Sequence, residues 1–236
     1  MEYDDRSALL TMLAGAEPEF APGAAVAEHA LTYGHLCGAV VEAATAERLE
    51  ERFDDLAARF GWDLHLAVAP AQQHRVADVV AADAVWPRDL LDDPRWGPAI
   101  GRPPGLLDPT VLNSARWRRT PFEAISLHAT AEGIARFQAD ATTPDGPVAR
   151  LLGPDLHAAY VGPAVTGHDL VLDRDVTWTL GFQLDSDGIG MGGAGGAVGW
   201  TSSEHGYSAG YVTRGLGDHA RADEVFDAID AALSGS

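Results

Sequence analysis

The stretch Gly188–Thr213, GIGMGGAGGAVGWTSSEHGYSAGYVT, constrains this chain more than any other part of it. Glycine stands at 188, 190, 192, 193, 195, 196, 199, 206 and 210. So many glycines serve either positive φ or the close approach of another group. The runs Ala197–Thr201 and Tyr207–Thr213, separated by Ser202–Gly206, predict a β-hairpin with a loop of about five residues. Two readings of the glycines follow: a merely tight hairpin, or a backbone edge that lines a cleft. Gly188, Gly190 and Gly193 spell a dinucleotide fingerprint, but no helix follows them, so that function is excluded.

The chain has 236 residues, enough for one large domain or two small ones. Its formal charge is −19, and all 16 cationic side chains are arginines. A field of that sign argues against nucleic acid or an anionic membrane as a partner. No apolar run approaches the roughly 18 to 20 residues of a membrane-spanning helix. Met1–Asp5 is acidic and no apolar signal core follows it, so a soluble, cytoplasmic protein is expected. Cys37 is the single cysteine, which excludes an internal disulfide.

In chain order, Ser7–Leu13 predicts a short helix. A buried helix is expected within 24–45, where Leu31, Gly34, Cys37, Gly38 and Val41 recur at helical spacing. Thr45 is expected to cap the next helix, with Leu49, Phe53, Leu56 and Phe60 on one face and Gly61 at its end. Leu64–Val68 reads as extended, and Gln72–Ala82 as a possible helix within a proline-broken stretch from 69 to 120. Such a long irregular stretch often lines a site or an interface. Trp86, Trp96 and Trp117 within it fit core or interface packing more readily than an apolar pocket. Thr130 predicts an N-cap before a helix facing inward at Ile134 and Phe137. A short helix is expected within Val148–Tyr160, a strand over Val176–Leu184, and a final helix over Ala222–Leu233 with Val225, Phe226, Ile229 and Leu233 inward.

Met191-Gly192-Gly193-Ala194-Gly195-Gly196, Val198-Gly199, Glu204-His205-Gly206 and Gly210-Tyr211-Val212 together resemble a family signature. It is the C-terminal motif of the serine β-lactamase and penicillin-binding-protein superfamily, in its class C β-lactamase and esterase-like branch. Pro22-Gly23 with Glu28-His29-Ala30-Leu31-Thr32-Tyr33-Gly34 resembles an upstream family block. Asn113-Ser114 with Trp117, Pro121 and His128–Ala131, and Trp178, Gly181 and Phe182, resemble others in the family's order. The resemblance implies an α/β (α+β) fold, a partial class C β-lactamase-like domain over 1–236. A mainly helical region is expected over 1–160, and a small antiparallel sheet with a C-terminal helix over 161–236.

The family's nucleophile lies in Ser-x-x-Lys, and these residues hold no lysine. The resemblance therefore implies an N-terminally truncated chain without the acylated serine. Glu28 stands where the family has a tyrosine, and Met191 where it has lysine or histidine. What remains is Glu28 as general acid or base, its pKa raised by the pocket, with His29 and Tyr33 one helical turn apart beside it. Glu28 as a solvent-facing carboxylate near a helix start is the alternative. Met191, Gly192, Gly193 and Ala194 are the substrate-binding candidates, the Ala194 N–H as half of an oxyanion hole. His128 is a further candidate, though a core histidine bonded to backbone is preferred. His29, His35 and Cys37 do not converge on one helix face, so no metal is expected, and no cofactor. Ser203-Glu204-His205 reads as a surface turn.

The expected function is a diverged family member acting on a small molecule, in secondary metabolism, by non-serine acid–base chemistry or within a complex. The alternative is a catalytically inactive binding or scaffold subunit. A sheet short of strands exposes an unpaired edge, so a homo-oligomer or a partner chain is expected to cover it.

Overall fold

The computed structural model describes residues 2–235. It divides into two compact units, one holding the chain up to His128 with Asp169–Asp173, the other holding Ala129–His168 and the chain from Arg174 onward. Helices and antiparallel strands are mixed along it, an α/β architecture.

The first unit opens with α1 (Arg6–Ala14), capped by Asp5, whose carboxylate accepts the Ala8 N–H at 3.0 Å. Helix α2 (Tyr33–Thr45) begins later than the apolar spacing of 24–45 predicts. The residues before it are held extended instead: Val26 bridges Asp169 in parallel, and the Leu170 N–H donates to the Val26 carbonyl at 3.0 Å. The buried face of α2, with Gly34, His35 and Gly38, follows the predicted spacing. Thr45 does not cap the next helix. It closes α2, its hydroxyl donating back to the Val41 carbonyl at 2.8 Å. Helix α3 (Leu49–Phe60) starts at Arg48, whose N–H is taken by Glu51, and ends at Gly61 with φ of 71°.

From Trp62 to Val68 burial alternates, with Leu64, Leu66 and Val68 inward. Only Leu64–His65 of this run is a β-strand. Gln72–Ala82 is not an α-helix; a 3-10 turn covers Pro70–Arg75. The chain beyond it is held by a side chain: Asn113 accepts the Val79 N–H and donates to the Val79 carbonyl, both at 2.8 Å. That tie spans 34 positions, which is why local periodicity does not report it. The core gathers Leu9, Leu31, Leu64, Leu106, Trp117 and Phe122. Trp86 is buried too, in keeping with packing as the use of that tryptophan.

Inside this unit His35 is buried, its ring edge-on to Phe122 at 4.5 Å and its Nδ1 3.6 Å from a Glu123 carboxylate oxygen. Burial holds the imidazole below its ordinary pKa; Glu123 opposes the shift and Arg6 adds to it. The folded state therefore keeps His35 neutral while the unfolded chain protonates it near pH ~6.5. This contribution to stability is complete above that pH and is lost as pH falls toward the lowered folded value. Denaturant midpoints at pH 7.5 and 5.5 should differ more for the unaltered protein than for His35→Asn. Equal differences would contradict this account of His35.

The second unit opens with α4 (Ala131–Thr142), capped as predicted by Thr130, whose hydroxyl accepts the Gly133 N–H at 3.0 Å. Thr130→Ala should cost about 1 kcal/mol in equilibrium unfolding; an unchanged midpoint would show that the cap contributes nothing. Two helices, α5 (Pro147–Leu152) and α6 (Pro154–Val161), replace the single one expected, because Gly153 between them takes a φ of 81°.

A six-stranded sheet follows: β1 (Val165–Asp169), β2 (Arg174–Trp178), β3 (Gln183–Leu184), β4 (Gly188–Gly192), β5 (Val198–Ser202) and β6 (Tyr207–Tyr211), neighbours in that order. The strand predicted over Val176–Leu184 is cut in two. The Thr179 hydroxyl accepts the N–H groups of Gly181 (3.2 Å) and Phe182 (2.9 Å), which folds a turn between β2 and β3. The hairpin of β5 and β6 forms as predicted, with Val198 opposite Tyr211 and Ser202 opposite Tyr207. Ala141, Phe182 and Ile189 make the core, with Phe137, Val148, Tyr160 and Leu184 around it. The last helix, α7 (Ala220–Ser234), exists, but Val225 and Leu233 are each 43% exposed rather than inward. Ala222, Phe226 and Ile229 take its less exposed face at i, i+4 and i+7.

Candidate functional site

In the first unit, Glu28 lies in the extended segment before α2. Its N–H donates to the Asp169 Oδ1 at 3.1 Å, which pins the main chain. The side chain is half-buried, and its pKa is pushed up, first by burial and then by the Asp169 charge. The direction agrees with the sequence-based expectation. Asp169 is 0% exposed; its Oδ1 also accepts from Val171 (2.9 Å) and Leu172 (3.0 Å), while its Oδ2 is buried without a hydrogen-bond partner.

The helical relation expected among Glu28, His29 and Tyr33 does not exist, because the helix starts only at Tyr33. His29 is exposed, and its Nε2 meets the hydroxyl of Thr32, the residue before α2, at 2.5 Å. Tyr33 is 54% exposed, and its hydroxyl is coupled to Cys37 one turn along. That contact and burial push its pKa up to about 12, so it stays protonated at neutral pH. His128 sits half-buried, with its Nδ1 lacking a hydrogen-bond partner. Burial holds its pKa down, so it is a neutral imidazole near neutral pH.

In the second unit, Met191 and Gly192 end β4, paired with Gly199 and Val198. The Gly193 N–H donates to the Ala197 carbonyl at 2.8 Å and closes the turn that presents Ala194. All four residues from Met191 to Ala194 are exposed, Met191 by 40%. The Ala194 N–H takes no main-chain acceptor among the described residues.

The glycines around this edge have another purpose. A Cβ at Gly192 would lie 2.7 Å from the His219 Nε2, and one at Gly195 would lie 2.8 Å from Leu216. Gly196 has φ of 90° and faces the Asp218 carbonyl. The returning segment 215–219 lies on the glycines, so much of the Gly-rich pattern is close packing within the unit. Only Gly193 of this turn has open space about it, its would-be Cβ meeting nothing nearer than 3.8 Å. Among the described residues, no group of three or more His, Cys, Asp or Glu side chains is arranged to hold a metal ion.

Sequence reasoning missed Asp169 and His219. Asp169 lies 141 positions from Glu28, and no motif links them. Glycine at 188, 190 and 192 has the period of one strand face, but Trp200 fills that face at 188 and 190 and only Gly192 meets His219.

A family model described as Beta-lactamase matches residues 1–234. The chain belongs to the beta-lactamase family. Its fold is similar to that of a penicillin-binding-protein homologue from Caulobacter crescentus, with TM-score 0.70 and 26% identity over 92% of this chain and 60% of that one. EstA from Arthrobacter nitroguajacolicus Rue61a matches at TM-score 0.78 and 22% identity, over 99% of this chain and 67% of its own. A family VIII carboxylesterase matches at TM-score 0.74 and 22% identity, over 92% and 60%. This beta-lactamase-family chain thus spans about three fifths to two thirds of the length of those structures. No curated protein matches it. Among the described residues no helix is long and apolar enough to cross a membrane.

Proposed function

We propose that this beta-lactamase-family protein acts on a small molecule in secondary metabolism, as a hydrolase or transacylase that uses acid–base chemistry at Glu28 in place of a serine nucleophile. The observation that carries the reading is the half-buried Glu28 carboxyl, raised in pKa by burial and by Asp169; the sequence resemblance is what sets it at the family tyrosine. A carboxyl so placed keeps its proton nearer to neutrality and takes one from water more readily than an ordinary glutamate. His29, next in the chain, orders the start of α2 through Thr32, and Tyr33 opens that helix. In the second unit, taken by itself, the exposed strand end Met191–Ala194 is proposed as a binding edge, with the Ala194 N–H as donor to a carbonyl oxygen. Within the first unit, the half-buried neutral His128 is a further proposed binding residue. The likeness to a carboxylesterase makes a small activated ester the first substrate to test.

A second reading, a binding or scaffold subunit within an assembly, draws on the sheet. Strand β6 is its last strand, and Tyr207-Ser208-Ala209-Gly210-Tyr211 carries no charge and no proline to discourage strand addition. A homo-oligomer or a partner chain covering this edge fits it. Comparing Glu28→Gln with the unaltered protein separates the two: loss of turnover with binding retained supports the enzyme, and absence of any turnover supports the binding subunit.

A further inference from the structure

We propose that Asp169 is the positioning residue for Glu28: its carboxylate fixes the Glu28 main chain and sets the negative charge that the Glu28 side chain works against. The inference rests on the acid–base reading of Glu28 and deepens it.

An aspartate that merely shapes its own turn needs only the Val171 and Leu172 N–H groups, which its Oδ1 accepts. Asp169 does more. The same oxygen takes the Glu28 N–H from 141 residues away, so the turn after β1 and the segment before α2 are tied at one atom. The bridge of Val26 to Asp169 and the Leu170-to-Val26 hydrogen bond hold that juxtaposition from a second direction.

The other oxygen is the unusual feature. Asp169 is fully buried, and its Oδ2 meets no donor among the described residues. A buried carboxylate oxygen without a donor is costly, and such atoms call for a purpose. Asp173 in the same turn is a carboxylate, an acceptor rather than a donor, and is itself paired with Arg95 at 2.6 Å. The Glu28 carboxyl feels the Asp169 charge as well as its own burial. The Glu28 main chain is pinned to the other oxygen of the same carboxylate, so an ionised Glu28 is held against a like charge. Asp169 thereby favours the proton-bearing form of the group proposed to move the proton.

The test is a carboxyl-carbon NMR titration of Glu28 in the full chain. Asp169→Asn keeps an oxygen for the three N–H donors and removes the charge. Its Glu28 midpoint should fall toward the ordinary glutamate range; an unmoved midpoint overturns the proposal. In the unaltered protein, the amide protons of Glu28, Val171 and Leu172 should shift together with the Glu28 carboxyl midpoint. Amides silent through that titration overturn the proposal too, and this second measurement decides alone if Asp169→Asn fails to fold. Neither readout uses turnover. A Glu28→Gln protein with undiminished activity would remove the acid–base reading while leaving the titrations to decide the role of Asp169.

Discussion

Glu28→Gln is expected to lower kcat for a small activated ester by about 10²–10⁴-fold, the usual contribution of a positioned general acid or base. The amide is nearly isosteric with the carboxyl, and the contact that pins residue 28 is made by its main chain, so the substitution leaves the geometry in place. KM should move little, because the carboxyl is proposed to act on a proton in the transition state rather than to hold the substrate. The acidic limb of the pH–rate profile should also disappear. Since burial and Asp169 raise this group, that limb lies above the ordinary glutamate range in the unaltered protein. Steady-state kinetics from pH 4 to 8 on both proteins measures both effects. A variant with full kcat would remove Glu28 from the chemistry.

Gly210→Val should destabilise the second unit by about 3 kcal/mol, at the upper end for overpacking. A Cβ at residue 210 would stand 2.5 Å from the Ala131 carbonyl oxygen, 2.9 Å from the Ile134 Cβ and 3.0 Å from the Ala135 nitrogen. Two of those three atoms belong to the main chain of the first turn of α4, which cannot rotate away as a side-chain tip can. Across the hairpin Gly199 faces Gly210, and its missing Cβ leaves room for Ile134 and Gln138. The pair of glycines is therefore the seat of α4 on the sheet. Urea unfolding of the variant tests this, and an unchanged midpoint would mean that α4 is not seated there.

These two sites also show where the sequence was legible. The hairpin, the Thr130 cap, the face of α2 and the stop at Gly61 were readable because each is decided within a few residues, by turn chemistry, capping or periodicity. The glycines marked close approach correctly, but a sequence does not say what approaches. At Gly192 and Gly196 it is the chain's own segment 215–219, and at Gly210 it is α4. The misplaced helix over 24–32 has a related cause. Its apolar spacing is helical, but pairing of Val26 with Asp169 overrides it, and that partner lies 143 positions downstream. The same distance hid Asp169 from the candidate site. Glu28 was found only because a family block gave residue 28 a place; its composition and spacing alone fit a solvent-facing carboxylate equally well.

The most direct measurement of the central claim is the intact mass of the purified chain, quenched during turnover of a p-nitrophenyl ester. Acid–base chemistry at Glu28 predicts release of nitrophenol with the protein mass unchanged. A stoichiometric gain of one acyl group, mapped to a serine, would contradict it and restore nucleophilic catalysis to these residues.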